Sequence, residues 1–264
     1  EFMRRIKYRL LCSATPAPND YIELGTSSEA LGYLGYMDML SMFFRNDENS
    51  LHPAFIGSKW RLKGHAEQSF WRWMASSARA CRTPSDLGFD DRHFVLPDLI
   101  VAEHVVEPPL PFGEMRPVPA VTLLEQREDT KATIRLRCER AASLHAAGEP
   151  GIAWCNLNDE GDLLATMIPG AVQVSGADPD ERKEEVFTAF RSGQIAKIVT
   201  KPKIAAFGMT WQHCAHMTEF PTHSFEQYYQ LVRRCWRYGQ KRAVRVDSIV
   251  SSAQQGVLHN RNRK

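Results

Sequence analysis

Hydrophobic positions in the second half of the chain follow two alternating patterns. Short, continuous apolar runs predict buried strands, and the stretches between them, with apolar residues spaced by three and four, predict helices. The predicted strands are residues 152–157, 172–174, 195–200, 214–219 and 243–250. The predicted helices between them are residues 162–167, residues 178–191 and a segment that begins at Ser224. Regular alternation of this kind predicts a parallel sheet with helices on both faces.

The first half of the chain has a different pattern. Residues 8–12 form one apolar run, which predicts a buried strand, and residues 19–82 carry a helical pattern rich in Trp, Phe and Met. A stiff linker is predicted next, because closely spaced prolines fit neither a helix interior nor a central strand. These prolines are Pro108, Pro109, Pro111, Pro117 and Pro119. A long helix is then predicted at residues 122–147, and a frayed, basic tail at residues 253–264.

Composition excludes some classes of protein. At 264 residues the chain has room for one large domain or two small ones. No apolar run is long enough to cross a bilayer, and no N-terminal segment resembles a signal peptide. The six cysteines are scattered without a C-x-x-C pair, and several lie in apolar runs. We therefore expect reduced thiols in a cytoplasmic protein that has no membrane partner.

Positive charge is concentrated in one segment, although the net charge is only +2. Six basic residues precede the next acid, Asp247, and they are Arg233, Arg234, Arg237, Lys241, Arg242 and Arg245. The first of them belong to a predicted helix that begins with a capping box at Ser224 and ends at Gly239. Its apolar face carries Tyr228, Leu231, Val232 and Cys235, and a second, polar face carries Gln227, Gln230, Arg234 and Arg237.

Two guanidinium groups one helical turn apart suit a polyphosphate that bridges two surfaces, because arginine binds phosphate with a bidentate fork. A solvated basic helix would have the same spacing. The spacing of Arg234 and Arg237 by itself leaves both interpretations open.

Short segments form a series along the chain. They are Ser-Ala-Thr-Pro at 13–16, residues 94–97 with 103–106, residues 152–156, residues 174–176 with Glu181, Arg182 and Phe190, Thr200-Lys201 with residues 205–208, and finally Gln230, Arg234, Arg237, Gly239 and Gln240. The first resembles motif III of superfamily 2 helicases, and the second resembles the linker between their two lobes. The third resembles motif IV, and the fourth resembles the signature that follows it. The fifth resembles motif V, and the last resembles motif VI. The resemblance is to the C-terminal part of such proteins, in particular Swi/Snf-type DNA translocases and helicase-like proteins of phages and prophages.

This resemblance implies a RecA-like fold, with a parallel sheet covered on both faces and a mostly helical region before it. Residues 1–18 would be the end of a first RecA-like lobe. Residues 19–120 would be a helical insertion and proline-rich linker, and residues 121–252 the second RecA-like lobe. Residues 253–264 would be the basic tail.

The resemblance also implies roles for individual residues. Arg234 and Arg237 would be arginine fingers that reach the γ-phosphate of ATP bound on the first lobe. Gln230, Gly208 and Gln240 would line the ATP cleft. Thr200, Lys201 and Lys203 would contact the nucleic acid backbone, and Ser13 and Thr15 would couple the two sites. The complete enzyme would use ATP and Mg²⁺, with neither bound tightly to this chain, and its partners would be nucleic acid, DNA rather than RNA, and the first lobe.

The sequence departs from that family at two points. Ala205-Ala206 stands where Swi/Snf-type proteins usually carry Gly-Gly, and no G-x-x-x-x-G-K-[ST] phosphate loop is present. The main hypothesis is therefore a helicase or translocase lobe that does not hydrolyse ATP alone. The alternative is a free-standing module without ATPase activity that binds nucleic acid or a partner.

Other residues offer weaker signals. Asp159-Glu160 imitates a metal-binding acidic pair, but its position predicts a charge pair at a helix N-terminus. His213, Cys214 and His216 are zinc ligands by type, yet their spacing matches no usual site, so no metal is expected. Residues 59–63 with Phe70, Trp71 and Trp73 are typical either of a single-strand binding surface or of a helix core, and we favour the core.

Overall fold

The computed structural model describes residues 5–17, 20–47, 60–107, 123–205 and 208–262. The chain divides into two compact units, Glu1–Phe89 and Asp90–Lys264. In the described part of the chain, no helix is both long and apolar enough to cross a membrane.

The first unit is mostly helical. Its α-helices are α1 (Leu24–Leu31), α2 (Tyr36–Phe43) and α3 (Glu67–Ser77), and single 3₁₀ turns lie at Tyr21–Glu23, Gly64–Ala66 and Pro84–Leu87. A short antiparallel pair joins β1 (Phe44–Asn46) to β2 (Trp60–Leu62). Phe70 is fully buried, and its ring centroid lies 5.4 Å from that of Phe43 and 5.7 Å from that of Trp73. The predicted core role of Phe70 is thus confirmed, whereas Trp71 remains exposed.

The strand predicted at residues 8–12 is wrong. The described residues 5–17 contain no strand, and the side chains of Tyr8 and Leu10 are 82% and 84% exposed. An apolar run becomes a buried strand only where neighbouring strands pair with it, and no strand pairs with this segment in the described part of the chain.

The second unit contains one sheet of six parallel strands. The strands are β3 (Leu99–Val106), β4 (Gly151–Trp154), β5 (Ala171–Val174), β6 (Lys197–Thr200), β7 (His216–Glu219) and β8 (Val244–Ser251). Their order across the sheet is β3-β8-β7-β4-β6-β5, and every neighbouring pair is parallel. This arrangement confirms the predicted class, a RecA-like parallel sheet that follows a mostly helical region.

Helices cover both faces of this sheet. They are α4 (Leu123–Ala132), α5 (Ile134–Ser143), α6 (Asn158–Met167), α7 (Asp180–Arg191), α8 (Pro202–Ala205), α9 (Phe225–Val232) and α10 (Gln255–Asn262). Ile152 and Ile198 pack on the face that carries α7 and α9, while their neighbours Ala153 and Val199 pack on the face that carries α5 and α6. Successive strand residues point to opposite faces, and because both faces are covered these neighbouring residues of β4 and β6 are all apolar.

The long helix predicted at residues 122–147 is divided into α4 and α5. The division falls at Thr133, which is fully buried and whose hydroxyl donates to the Asp129 carbonyl at 2.7 Å. A threonine hydroxyl that bonds back to the preceding turn commonly bends a helix.

Residues 99–106 were expected in the linker, and this expectation is wrong. They form the edge strand β3, which pairs with β8 over its whole length. Its outer position leaves Ile100, Val101 and Val105 partly exposed, so the pattern of burial is irregular. Glu103 and His104 interrupt its apolar residues, which lie at 99–102 and 105–106.

The basic tail predicted to be frayed is instead folded up to residue 262. A 3₁₀ turn at Ser252–Gln254 leads into α10, where Val257 and Leu258 are buried. Arg261 is 1% exposed, and its Nη1 donates to Glu219 Oε2 at 3.0 Å and lies 2.9 Å from Oε1. Its guanidinium also lies 3.8 Å from the ring centroid of Tyr228. A buried ion pair and a cation–π contact therefore hold the tail to the sheet.

A fully buried carboxylate joins three neighbouring strands. Asp247 on β8 accepts hydrogen bonds from His104 on β3 (2.7 Å), His216 on β7 (2.8 Å) and Arg245 (2.8 Å). Burial by itself raises the pKa of Asp247, but the hydrogen bonds from Arg245, His104 and His216 outweigh burial and lower the pKa to about 2. The ionised carboxylate thus stabilises the β3-β8-β7 side of the sheet.

We predict that Arg261→Ala lowers the free energy of unfolding by about 3 kcal/mol, because it leaves the Glu219 carboxylate buried without its cation. Urea unfolding of the whole chain measures this. Arg182→Ala is the matched control, since Arg182 is exposed on α7 and its loss should cost less than about 0.5 kcal/mol. Equal losses in the two variants would contradict a structural role for the tail.

We predict a second stability effect, which depends on pH. Because the folded-state pKa of Asp247 is depressed to about 2, its contribution is complete above about pH 4 and is lost as pH falls towards 2. The contribution is about 2 kcal/mol. In Asp247→Asn the stability difference between pH 4 and pH 2 should shrink by this amount in urea titrations. An unchanged pH dependence would show that Asp247 is not the titrating group.

Candidate functional site

Helix α9 positions the predicted motif VI residues. Ser224 is its N-cap, and the Ser224 hydroxyl accepts from the Gln227 N–H at 3.2 Å. Only this half of the predicted capping box forms, because the Ser224 N–H donates to the Thr222 hydroxyl at 3.3 Å. The α-helix ends at Val232 rather than continuing to Gly239. From there the backbone tightens, since Arg234 and Cys235 donate to carbonyls only three residues earlier. The arginines therefore lie in a compact turn after the helix.

Arg234 is almost completely buried, with 7% of its surface exposed. Its Nε donates to the Gln230 carbonyl (2.9 Å), Nη1 to the Met209 carbonyl (2.7 Å) and Nη2 to the Gln230 side-chain oxygen (3.1 Å). These acceptors carry no charge, and among the described residues no carboxylate pairs with Arg234. Burial and the nearby charge of Arg237 both lower the pKa of Arg234.

Arg237 is half-buried and contacts the same loop. Its Nη1 donates to the Thr210 hydroxyl at 2.6 Å and lies 3.5 Å from the Met209 carbonyl. Two guanidinium groups therefore meet at residues 208–210, and no described carboxylate neutralises either of them. Such a pair attracts an anion, because an anion relieves the repulsion between the two cations.

Gly208 begins this loop in the left-handed conformation, with φ of +77°. Apart from its chain neighbours, no described residue has an atom within 4 Å of the place where a Cβ would stand, so the backbone angle favours glycine here. Ala205 is buried at the end of α8, and Ala206 lies outside the described residues.

The Gln240 side chain bonds to backbone groups, and its assignment to an ATP cleft stays a prediction. Its Nε2 donates to the carbonyls of Cys214 (3.0 Å) and Cys235 (3.3 Å). Its Oε1 accepts from the N–H groups of Lys241 (2.9 Å) and Arg242 (3.0 Å). The buried amide is thus saturated by backbone groups and fixes the turn before β8. A motif position does not reveal in which direction the side chain of such a glutamine points.

The predicted nucleic-acid residues lie at a different edge of the sheet. They lie at the carboxyl end of β6, where Thr200 is the last strand residue and Lys201 and Lys203 follow it. The turn that carries the arginines is instead linked to the amino end of β7, because Gln240 donates to the Cys214 carbonyl. Thr200 is fully buried and donates to the Val174 carbonyl at 3.0 Å, so its side chain cannot meet a ligand. Lys201 donates to Asn158 at 2.6 Å, and Lys203 is exposed.

Ser13 and Thr15 belong to the first unit. Ser13 is exposed, and its hydroxyl accepts from the Thr15 N–H at 3.0 Å. Their coupling role stays a prediction.

Hydrogen bonds and ion pairs describe the surroundings of the two metal-site candidates that the sequence analysis named. Glu160 is buried, accepts from the N–H groups of Asn156 (2.8 Å) and Leu157 (3.0 Å), and pairs with Arg137 at 2.9 Å. This confirms that it caps the N-terminus of α6. The Cys214 thiol donates to backbone carbonyls, and in the described part of the chain no cluster of three or more His, Cys, Asp or Glu is arranged to hold a metal ion.

Sequence reasoning missed two groups of residues near these elements. One is the buried partner of Glu160, Arg137, which also donates to the Thr130 carbonyl. The other is the Asp247 network, whose histidines are far away in the sequence. Only their proximity in the folded sheet identifies them, because no spacing rule links residues on different strands.

Comparison with solved structures finds low similarity to several ATPase and DEAD-box proteins. The C-terminal part of the Fun30 ATPase domain is 12% identical with a TM-score of 0.38, over 42% of this chain and 38% of that one. A DEAD box protein from Methanococcus jannaschii is 16% identical with a TM-score of 0.45, over 63% of this chain and 39% of that one. The E. coli DEAD-box protein SrmB is 17% identical with a TM-score of 0.42, over 49% and 79%.

This chain therefore spans less than half of the first two structures. At such low identities and TM-scores the likeness carries no information about activity, substrate or partners. No protein-family model matches the sequence, and no curated protein matches it.

Proposed function

We propose that the second unit is the second motor lobe of an ATP-driven nucleic acid helicase or translocase of superfamily 2, of the Swi/Snf type. The order of the sequence motifs supports this function. The observation that carries it is the pairing of Arg234 and Arg237, whose described hydrogen bonds all go to uncharged oxygen atoms. The fold would otherwise bring a carboxylate to a buried guanidinium, as it does for Arg137 and Arg261.

The geometry suits phosphate chemistry shared between two lobes. ATP with Mg²⁺, held on a first lobe, supplies the phosphoryl group. Arg237 is half-buried and keeps N–H groups free to donate to phosphate oxygens as their negative charge develops. Arg234, fixed by Gln230 and Met209, holds the loop and adds a second positive charge. Lysine could not replace either fork, because an ammonium is a point charge.

Nucleic acid would bind at the carboxyl edge of the sheet. Lys201 and Lys203 place two cations after β6, and ligands of parallel sheets commonly bind beyond the carboxyl ends of the strands. The buried side chain of Thr200 limits its contribution to its backbone. Lysines at this edge would grip backbone phosphates, a contact that does not depend on sequence. DNA rather than RNA follows from the Swi/Snf resemblance.

We predict that Arg237→Ala lowers kcat for ATP about 10³-fold in a two-lobed protein made by joining or mixing this chain with a lobe that carries a phosphate loop. Arg237→Lys should not restore the rate. The measurement is nucleic-acid-stimulated ATP hydrolysis. Arg191→Ala, which removes an exposed arginine at the end of α7, is the control that keeps the rate.

Two results would contradict the motor assignment. The first is ATP hydrolysis by this chain alone that Arg237→Ala abolishes, because the chain would then hold a complete active site. The second is nucleic acid binding by the chain with no hydrolysis when a first lobe is supplied. That result would favour the free-standing binding module.

We also predict that Lys203→Gln weakens binding to duplex DNA and lowers the slope of log K against log[salt] by about one, as expected for one lost phosphate contact. Titration over a range of salt concentrations measures this. Lys131→Gln, an equal change of charge on α4, is the control and should leave the slope unchanged. An identical effect of both variants would indicate a nonspecific response to net charge.

A further inference from the structure

A second group of basic residues surrounds a cavity at the amino-terminal edge of the parallel sheet. The cavity measures about 310 Å³ and lies among the segments that precede β4, β7 and β8. Its polar lining consists of His145, Glu149, His216, Arg242 and Arg245. Neither the arginines of the α9 turn nor the lysines after β6 line it, so the proposed motor function leaves this cavity without a role.

Arg245 is held in place on one side and open on the other. Its Nε and Nη2 donate to the buried Asp247, at 2.8 and 2.9 Å. A guanidinium has five N–H donors, so the two on Nη1 remain for a ligand. Asp247 is itself fixed by His104 and His216. Arg245 therefore loses little conformational entropy when it binds an anion.

Arg242 forms the other arm of the cavity. Its Nη2 donates to the His213 carbonyl at 2.6 Å, which orients the guanidinium. Its Nη1 lies 3.4 Å from Glu149, and both side chains are at least half exposed. An exposed ion pair at this distance contributes little, so an anion can displace the Glu149 carboxylate.

The two histidines add polar groups between these arms. His216 donates its Nε2 hydrogen to Asp247, and its Nδ1 has no hydrogen-bond partner in the described part of the chain. Burial, with the charges of His216 and Lys197, lowers the pKa of His145 to about 3, so this imidazole is neutral at neutral pH. Lys197, the first residue of β6, is 4% exposed, and no ion pair with a described residue neutralises it.

The balance of charge around the cavity is positive. Arg242 and Arg245 line the cavity, and Lys197 lies close enough to its wall to lower the pKa of His145. The carboxylates are Glu149, which can move into solvent, and Asp247, which Arg245 already binds. Two guanidinium groups on different sides of one cavity suit an anion with several oxygen acceptors.

We propose that this cavity binds a phosphate group, either free inorganic phosphate or the phosphate of a small phosphomonoester. The volume accommodates a phosphate together with a small organic group. Arg245 supplies the fixed donors, Arg242 closes over the anion after releasing Glu149, and the Nδ1 side of His216 contacts the ligand edge. This site is separate from the Arg234–Arg237 pair, so its test is independent of the motor assignment.

The test uses the whole chain with inorganic phosphate and glycerol phosphate as probes. Calorimetry and the NMR signals of the histidine rings are followed at constant ionic strength, with chloride as the balancing anion. We expect saturable binding that shifts the His216 signals. Tighter binding of glycerol phosphate than of inorganic phosphate assigns the phosphomonoester as the ligand, and the reverse order assigns the free anion.

Arg242→Gln should weaken this binding at least about tenfold, as expected for the loss of a charged hydrogen-bond donor. Because Arg242 is half exposed, the fold should be retained, which circular dichroism verifies. Arg245→Gln should have an equal or larger effect, and Arg182→Gln is the charge-matched control with unchanged affinity. Absence of saturable binding, or an equal loss in the control, would overturn the proposal. So would stronger, competitive binding of duplex DNA at the same histidines, since the surface would then be a nucleic acid site.

Discussion

Among the described residues of the second unit three carboxylates are buried, and each is paired with an arginine. Glu160 pairs with Arg137, Glu219 with Arg261, and Asp247 with Arg245. A carboxylate left without its partner in such a place would carry a large desolvation cost. The first two pairs fix α5 against α6 and the C-terminal helix against the sheet, and the hydrogen bond of His104 to Asp247 fixes the edge strand β3. Apolar packing alone would leave these positions less specific.

Against this background Arg234 is an exception. It is as deeply buried as many core residues, yet its described acceptors are uncharged oxygen atoms. The other buried arginines discussed above, Arg137 and Arg261, each pair with a carboxylate. A buried arginine without one indicates a site at which a negatively charged ligand binds. The proposed motor function gives that charge a source. The cavity between Arg242 and Arg245 differs, because there one arginine is already anchored by a carboxylate.

The sequence predicted the inner strands and most helices of the second unit, because parallel strands with both faces covered are continuously apolar. It did not predict β3, whose outer position interrupts the apolar pattern, or α10, which is held by an ion pair to a residue 42 positions away. The strand expected at residues 8–12 failed for the opposite reason, since an apolar run without a pairing partner does not form one.

The candidate site was predicted in part. Charge clustering and motif order pointed to Arg234 and Arg237, and the structure brings them together with Gln230 and the loop after Gly208. Gln240 and Thr200 were assigned to ligands, but their side chains bond internally. The network of His104, His216 and Asp247 could not be foreseen, because its members come from three strands and meet only after the sheet has formed.

One backbone oxygen has a consequence of its own. The Met209 carbonyl accepts from Arg234 at 2.7 Å and lies 3.5 Å from the nearest Arg237 nitrogen. Any incoming anion that draws these guanidinium hydrogens to itself must compete with that carbonyl. Binding of the anion therefore competes with the present conformation of residues 208–210, and the loop would rearrange each time an anion binds and dissociates.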